Sequence, residues 1–166
     1  MALHEVKNGV LGYPFAMRFT LIDDILEQEE NRIVVVKNVT NAEEYLQDHF
    51  PTFPVLPGVL MLEVLVQAAR RLLGDEGRRH VLGKVSATRY GTFVQPGESM
   101  WAEVELVKGD SETGFFQFKG LGRVHSPGKD LGDADTCVSS RFTMRPMRIG
   151  IGGVTPTCSG STVTSE

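Results

Sequence analysis

The stretch "HFPTFPVLPGVLMLEVLVQAARRLL", His49 to Leu73, constrains the fold of this chain more than any other. Its prolines, Pro51, Pro54 and Pro57, fix φ and stiffen the backbone around them. From Gly58 onward the residues read as a helix, with Pro57 suited to the first turn and Gly74 to the stop. Val59, Leu60, Met61, Leu62, Val64, Leu65, Val66, Ala68 and Ala69 leave it almost no polar face. A helix of that kind is buried on most sides. One flat sheet covers only one side. The sheet that packs here must curl around the helix, and part of the remaining apolar surface is expected to meet a second subunit.

The rest of the chain reads mainly as strands. "MRFTLIDDILEQ" and "NRIVVVKNVT" form a β-rich pair joined by the polar turn "LEQEEN". "NAEEYLQD" reads as a short helical turn with Asn41 as its N-cap. Past Gly74, "HVLGKVSATRY", "SMWAEVELVKG", "GFFQFKGLGRVH" and "DTCVSSRFTMRP" alternate between Gly, Pro and Asp clusters, which predicts antiparallel strands. "SPGKDLGDAD" is a polar loop between the last two. Residues 1–146 therefore read as a single α+β domain. The Gly-, Ser- and Thr-rich residues 147–166 read as a disordered tail.

Composition removes several classes of function. A chain of 166 residues with 41% apolar and 23% charged residues is an ordinary globular domain with room for a core. A formal net charge of −4 and the lack of a Lys/Arg block give no nucleic-acid footprint. Cys137 and Cys158 make no metal-ligand spacing, and a reduced, cytoplasmic setting is expected. "MALHEVKNGVLGYPF" lacks the basic start and apolar core of a signal peptide. The run "VLPGVLMLEVLV" is too short for a membrane span and carries an acid.

That acid, Glu63, carries the first chemical question. An ionised carboxylate inside an apolar run is costly to bury without a partner. A buried carboxyl holds its proton more tightly and can act as an acid near neutral pH. Gln67 lies one turn on and shares its face. The other reading is an exposed glutamate on an amphipathic helix, and periodicity leaves both open. His49 sits in the stiff proline segment. A lone loop histidine reads first as a polar residue bonded to backbone, although one held beside a helix N-terminus can also serve as a base. Gly58 opens the helix, where a free N–H points outward and no side chain blocks the approach of a carbonyl oxygen.

Taken together, His49-Phe50-Pro51, Pro57-Gly58, Glu63 and Gln67 resemble the signature of the FabZ/FabA family of β-hydroxyacyl-acyl-carrier-protein dehydratases. The similarity runs from about Met17 to Pro146, and glutamate at the acidic position resembles the FabZ branch. The resemblance implies a hotdog fold, an antiparallel sheet wrapped around a long central helix. It implies a homodimer, with a trimer of dimers open. His49 of one subunit would face Glu63 of the other as the catalytic pair. Gly58, Gln67, Phe50, Phe53 and Val59 would bind substrate, with Val55 and Leu56 adding to an apolar tunnel. The implied reaction converts a (3R)-hydroxyacyl thioester, on acyl-carrier protein or CoA, to a trans-2-enoyl thioester. No metal or organic cofactor is implied, because the thioester itself acidifies C2.

The sequence departs from that pattern in three places. Thr52 stands where the family has glycine after His-Phe-Pro. "YGTFV", Tyr90 to Val94, lacks the basic residues that follow the family's aromatic. The "SPGKDLGDAD" loop and the tail are longer than a minimal FabZ needs. These point to a specialised relative. A hotdog thioesterase and a non-catalytic acyl-binding partner subunit are the competing readings. His4, His80 and His125 read as surface residues, and Trp101, Phe115 and Phe116 as core strand positions. The cluster Arg70, Arg71, Arg78 and Arg79 reads as cations favoured at a helix C-terminus, with carrier docking as its second reading.

Overall fold

A computed structural model describes residues 19–128, 132 and 134–148. His4, Cys158 and most of the 147–166 tail lie outside those residues, as does the centre of the "SPGKDLGDAD" loop. The strands are β1 (Asp24–Gln28), β2 (Arg32–Asn38), β3 (His80–Tyr90), β4 (Ser99–Asp110), β5 (Phe115–His125) and β6 (Thr136–Pro146). They form one antiparallel sheet in the order β1-β2-β4-β5-β6-β3. The helix α1 spans Gly58–Leu72 and touches every strand from β2 to β6. Only a curled sheet can do that, so this is the hotdog arrangement that the resemblance implied. Among the described residues, no helix is long and apolar enough to cross a membrane.

The core follows from two periodicities meeting. On β5 the residues alternate between exposed and buried, so Phe116, Phe118 and Gly120 point inward. Ile33 and Val35 of β2, Met100, Ala102 and Val104 of β4, and Phe142 and Met144 of β6 join them. Against these lie Met61, Val64, Leu65, Val66, Ala68 and Ala69 of α1. Each large apolar side chain so buried contributes about 1.5–3 kcal/mol. Gly120 lets the helix come close, because a Cβ there would lie 2.8 Å from Leu65 Cδ1. Gly74 ends the helical segment in the left-handed region at φ +61°. Cys137 is buried, and burial pushes its thiol up to about 11.

Several sequence expectations change. Among the described residues, the β-rich stretch from Met17 forms a strand only from Asp24. The chain from Phe19 to Leu21 bonds to a helix side chain, Gln67, where the pattern expected a strand. Asn41 does not cap the short turn, which is a 3₁₀ helix at Glu44–Leu46 preceded by Glu43. His80 is buried at 7% exposure, with Nδ1 2.6 Å from the Glu76 carbonyl oxygen and Nε2 2.9 Å from that of Gly114. Trp101 is half-buried on the outer face beside His125, and of the phenylalanine pair only Phe116 enters the core.

Glu43 takes over the organising role expected of Asn41. Lys37 is buried on β2, and its Nζ donates to Glu43 Oε1 at 2.8 Å and to the Asn38 carbonyl at 2.6 Å. Tyr45 donates its hydroxyl to the other oxygen of Glu43, and Thr40 N–H donates to Glu43 Oε1. Burial works against the carboxylate charge, but these donors outweigh it and hold the Glu43 carboxyl below its usual range. Burial and the Glu43 carboxylate push the Tyr45 phenol well above its own. The network anchors the turn that leads into His49.

A group with a depressed folded-state pKa stabilises the fold above its unfolded value, about 4.3, and that stability is lost as pH falls through the folded value. Glu43→Gln is expected to cost about 1–2 kcal/mol at pH 7. The difference from wild type should shrink below about pH 4. Urea denaturation at pH 7 and pH 3.5 measures both, and an undiminished difference at the lower pH would refute the role given to the Glu43 charge.

Candidate active site

Two elements present the candidate residues, the proline loop and the first half of α1. The loop is closed by main-chain bonds. Phe50 and Phe53 exchange N–H donations at 3.2 and 3.0 Å, and Val55 N–H donates to the His49 carbonyl at 3.0 Å. Leu56 N–H donates to Val94 O at 2.8 Å, which fastens the loop to the segment after β3. The His49–Phe50 peptide is cis, and the two rings stack with centroids 4.3 Å apart.

His49 meets the first of the readings the sequence left open, a polar residue bonded to backbone. Its Nδ1 lies 3.0 Å from the Val55 carbonyl oxygen. A carbonyl only accepts, so Nδ1 carries the hydrogen in that contact. In the neutral ring Nε2 is then left with a lone pair. The backbone bond thus orients the ring and leaves Nε2 as the nitrogen with the free lone pair.

Gly58 is the first residue of α1, after Pro57. The Pro57 carbonyl accepts from Leu60 N–H at 2.9 Å and from Met61 N–H at 3.1 Å. Among the described residues, nothing accepts from Gly58 N–H, as expected of a first-turn donor. A Cβ at Gly58 would lie 2.9 Å from Tyr90 Cε1, so the Tyr90 ring covers this helix end. Tyr90 had no assigned role in the sequence. Strand register, which brings the last residue of β3 over the start of α1, is invisible in a linear reading.

Glu63 is neither bare in the core nor free in solvent. Its side chain is 33% exposed, and Oε1 accepts from Gln67 Nε2 at 3.0 Å. Arg70 Nη1 lies 3.8 Å from the same oxygen, while Arg70 Nε donates to the His80 carbonyl at 3.1 Å. Two partners of Glu63 therefore come from its own helix, one and two turns on. Arg70 was read as a dipole cation or a carrier-docking residue and not as a partner of Glu63, although its seven-residue spacing from Glu63 was there to be read. Gln67 does more than face Glu63. It also donates to Phe19 O at 3.0 Å and accepts from Leu21 N–H at 2.9 Å.

The apolar flank is split. Val55 and Leu56 are buried, whereas Phe50, Phe53 and Val59 are 51%, 44% and 71% exposed. The expected tunnel is thus not closed by one chain. Phe53 meets Phe93 edge to face at 5.6 Å, giving an exposed aromatic pair on this flank. Among the described residues, no hydrogen bond joins His49 to Glu63 within the chain. No group of three His, Cys, Asp or Glu side chains among them could hold a metal ion.

Known proteins match this chain in sequence and in fold. The profile of the ApeI-like family, described as ApeI dehydratase, matches residues 26–129. The 3-hydroxyacyl-[acyl-carrier-protein] dehydratase FabZ of Clostridium perfringens strain SM101 is 37% identical over 119 residues, covering 69% of this chain and 84% of the relative. FabZ of Verminephrobacter eiseniae is 38% identical over 134 residues, covering 75% and 85%. Among solved structures, the dehydratase heterocomplex ApeI:P of Xenorhabdus doucetiae superimposes with a TM-score of 0.52 at 16% identity, covering 74% of this chain and 96% of that one. A hypothetical thioesterase with coenzyme A from Streptococcus pneumoniae gives 0.55 at 13%, covering 75% and 84%. At those identities the structural likeness speaks for the fold alone.

Gln67→Leu removes the acceptor for Leu21 N–H and the donor to Glu63 together. The expected loss of stability is about 1–3 kcal/mol, the range for leaving a buried donor unpaired. Urea denaturation reads the loss, and amide exchange at Leu21 locates it. An equally protected Leu21 amide in the variant would show that Gln67 does not hold this segment.

Proposed function

This chain belongs to the ApeI-like dehydratase family, and we propose that it removes water from (3R)-hydroxyacyl thioesters carried on acyl-carrier protein to give trans-2-enoyl thioesters. The curated FabZ relatives support that substrate class. The observation that carries the mechanism is the His49 Nδ1 contact with the Val55 carbonyl, which leaves Nε2 as a positioned base. His49 Nε2 takes the C2 proton. The thioester oxygen accepts from Gly58 N–H at the positive end of α1, which stabilises the enolate-like charge. The C2 electron pair forms the C2=C3 bond as C3–O breaks. Glu63 delivers a proton to the leaving hydroxyl, directly or through one water, so the products are enoyl thioester and water. Proton exchange then returns His49 to its neutral form and Glu63 to its acid form. Gln67 and Arg70 hold the Glu63 carboxyl in place.

The site is proposed to be shared between two copies of the chain. Val59 on the first turn of α1, Phe50 and Phe53 on the loop, and Phe93 and Tyr90 beside them are all exposed apolar surface around the same helix end. A second copy would cover that surface and close the tunnel around the acyl chain. In that homodimer His49 of one subunit faces Glu63 of the other. Hydrolysis of the thioester is the competing activity on such a scaffold. Incubation with 3-hydroxyacyl thioesters of several lengths, reading enoyl absorbance and free thiol together, separates the two.

His49→Ala and Glu63→Gln are each expected to lower kcat by about 10²–10⁴-fold, the range for a lost acid or base, with the melting temperature little changed. Near wild-type rates in both would refute the assigned roles. Sedimentation at micromolar concentration should show no dominant monomer, and a stable, active monomer would rule out the shared site.

A further inference from the structure

The outer face of the sheet, turned away from α1, carries a shallow groove of about 370 Å³ lined by residues of β3, β5 and β6. Three cations from three neighbouring strands stand on it: Arg89, Lys119 and Arg141. Lys119 and Arg141 are Cα partners in the β5–β6 ladder. Arg89 pairs with Ser139 across the β3–β6 ladder, which places it diagonal to Arg141. Like charges directly opposite one another destabilise a ladder. Lys119 finds Glu105 at 3.6 Å, but among the described residues no carboxylate pairs with Arg89 or Arg141. The chain as a whole has a formal net charge of −4, so this concentration of cations runs against its average surface.

The groove is too open to enclose a small anion, and all three cations are exposed. Ala87, opposite Arg141, and Leu121, opposite Ser139, add apolar surface beside them. Cations next to a small apolar surface suit a protein surface that brings carboxylates to the cations and an apolar side chain beside them. We propose that this outer groove docks the acidic surface of the carrier domain that delivers the acyl chain, an inference that rests on the dehydratase reading above. Strand β3 connects the groove to the site. Arg89 lines the groove, and the next residue, Tyr90, lays its ring on Gly58. Successive strand side chains point to opposite faces. A partner held at Arg89 is therefore one residue along the chain from the aromatic that covers the proposed oxyanion donor.

The test titrates fluorescently labelled holo-acyl-carrier protein into the wild-type chain and into Arg89→Gln/Arg141→Gln at low and high salt. Arg71→Gln/Arg79→Gln, in the last turn of α1 and in the short turn before β3, is the comparator. The expected result is about tenfold weaker binding for the groove variant at low salt, a flatter salt dependence and a melting temperature no lower than that of wild type. Arg89→Lys/Arg141→Lys should restore most of the binding. Equal binding by wild type and the groove variant, or a larger loss in the comparator, overturns the proposal. So does selective displacement of the carrier by inorganic phosphate at fixed ionic strength, which would make the groove a phosphate site. If the wild-type chain forms no enoyl product while the binding difference holds, the dehydratase reading falls and the docking surface stands. If carrier-bound and N-acetylcysteamine substrates are both turned over normally by the groove variant, the docking surface alone falls.

Discussion

Everything in this structure depends on covering α1. A helix with Val64, Leu65, Val66, Ala68 and Ala69 all buried cannot be satisfied by one flat layer. The sheet answers by curving until five of its strands touch the helix. Gly120 permits the close approach, since any side chain there would meet Leu65. Register shifts in β3, between Leu82 and Lys84 and between Val85 and Ala87, bend the strand at the far edge. At the first turn of α1 the cover is partial: Tyr90 of β3 lies over Gly58, while Val59 is left in the open. The candidate site lies at that partly covered end.

The site combines stiffness with polarity at a helix start. The proline loop is tied at His49, Val55 and Leu56, so the imidazole has little freedom. The Lys37–Glu43–Tyr45 network fixes the turn before it. On the helix, Gln67 and Arg70 hold Glu63 from the C-terminal side, and Gln67 carries that order on to the chain at Phe19 and Leu21. Acid–base chemistry needs groups held in one geometry, and here backbone carbonyls and amides do most of the holding.

Much of this was legible. The β-branched and alternating runs marked β2 to β6, and Pro57 and Gly74 bracketed α1. Those signals are local and repeat within a few residues. His49, Gly58, Glu63 and Gln67 stood out through spacing in one continuous segment. The misses share another cause. Asn41 lost its capping role because a buried lysine on β2 recruits Glu43. His80 is buried because the turn at Glu76 and the hairpin at Gly114 close over it. Tyr90 reaches Gly58 from thirty-two positions away. Each needs residues distant in sequence to meet.

The sequence alone determined that a central helix would be buried, that antiparallel strands would enclose it, and which segment would carry the candidate site. Periodicity and proline stiffness act over short stretches of chain, so they can be read without coordinates. Only the tertiary structure decided which tautomer His49 offers, what Glu63 leans on, and which cations share the outer face. Those depend on register and on contacts between strands far apart in the chain, and a one-residue shift in register would turn Arg89 away from Arg141 and Lys119.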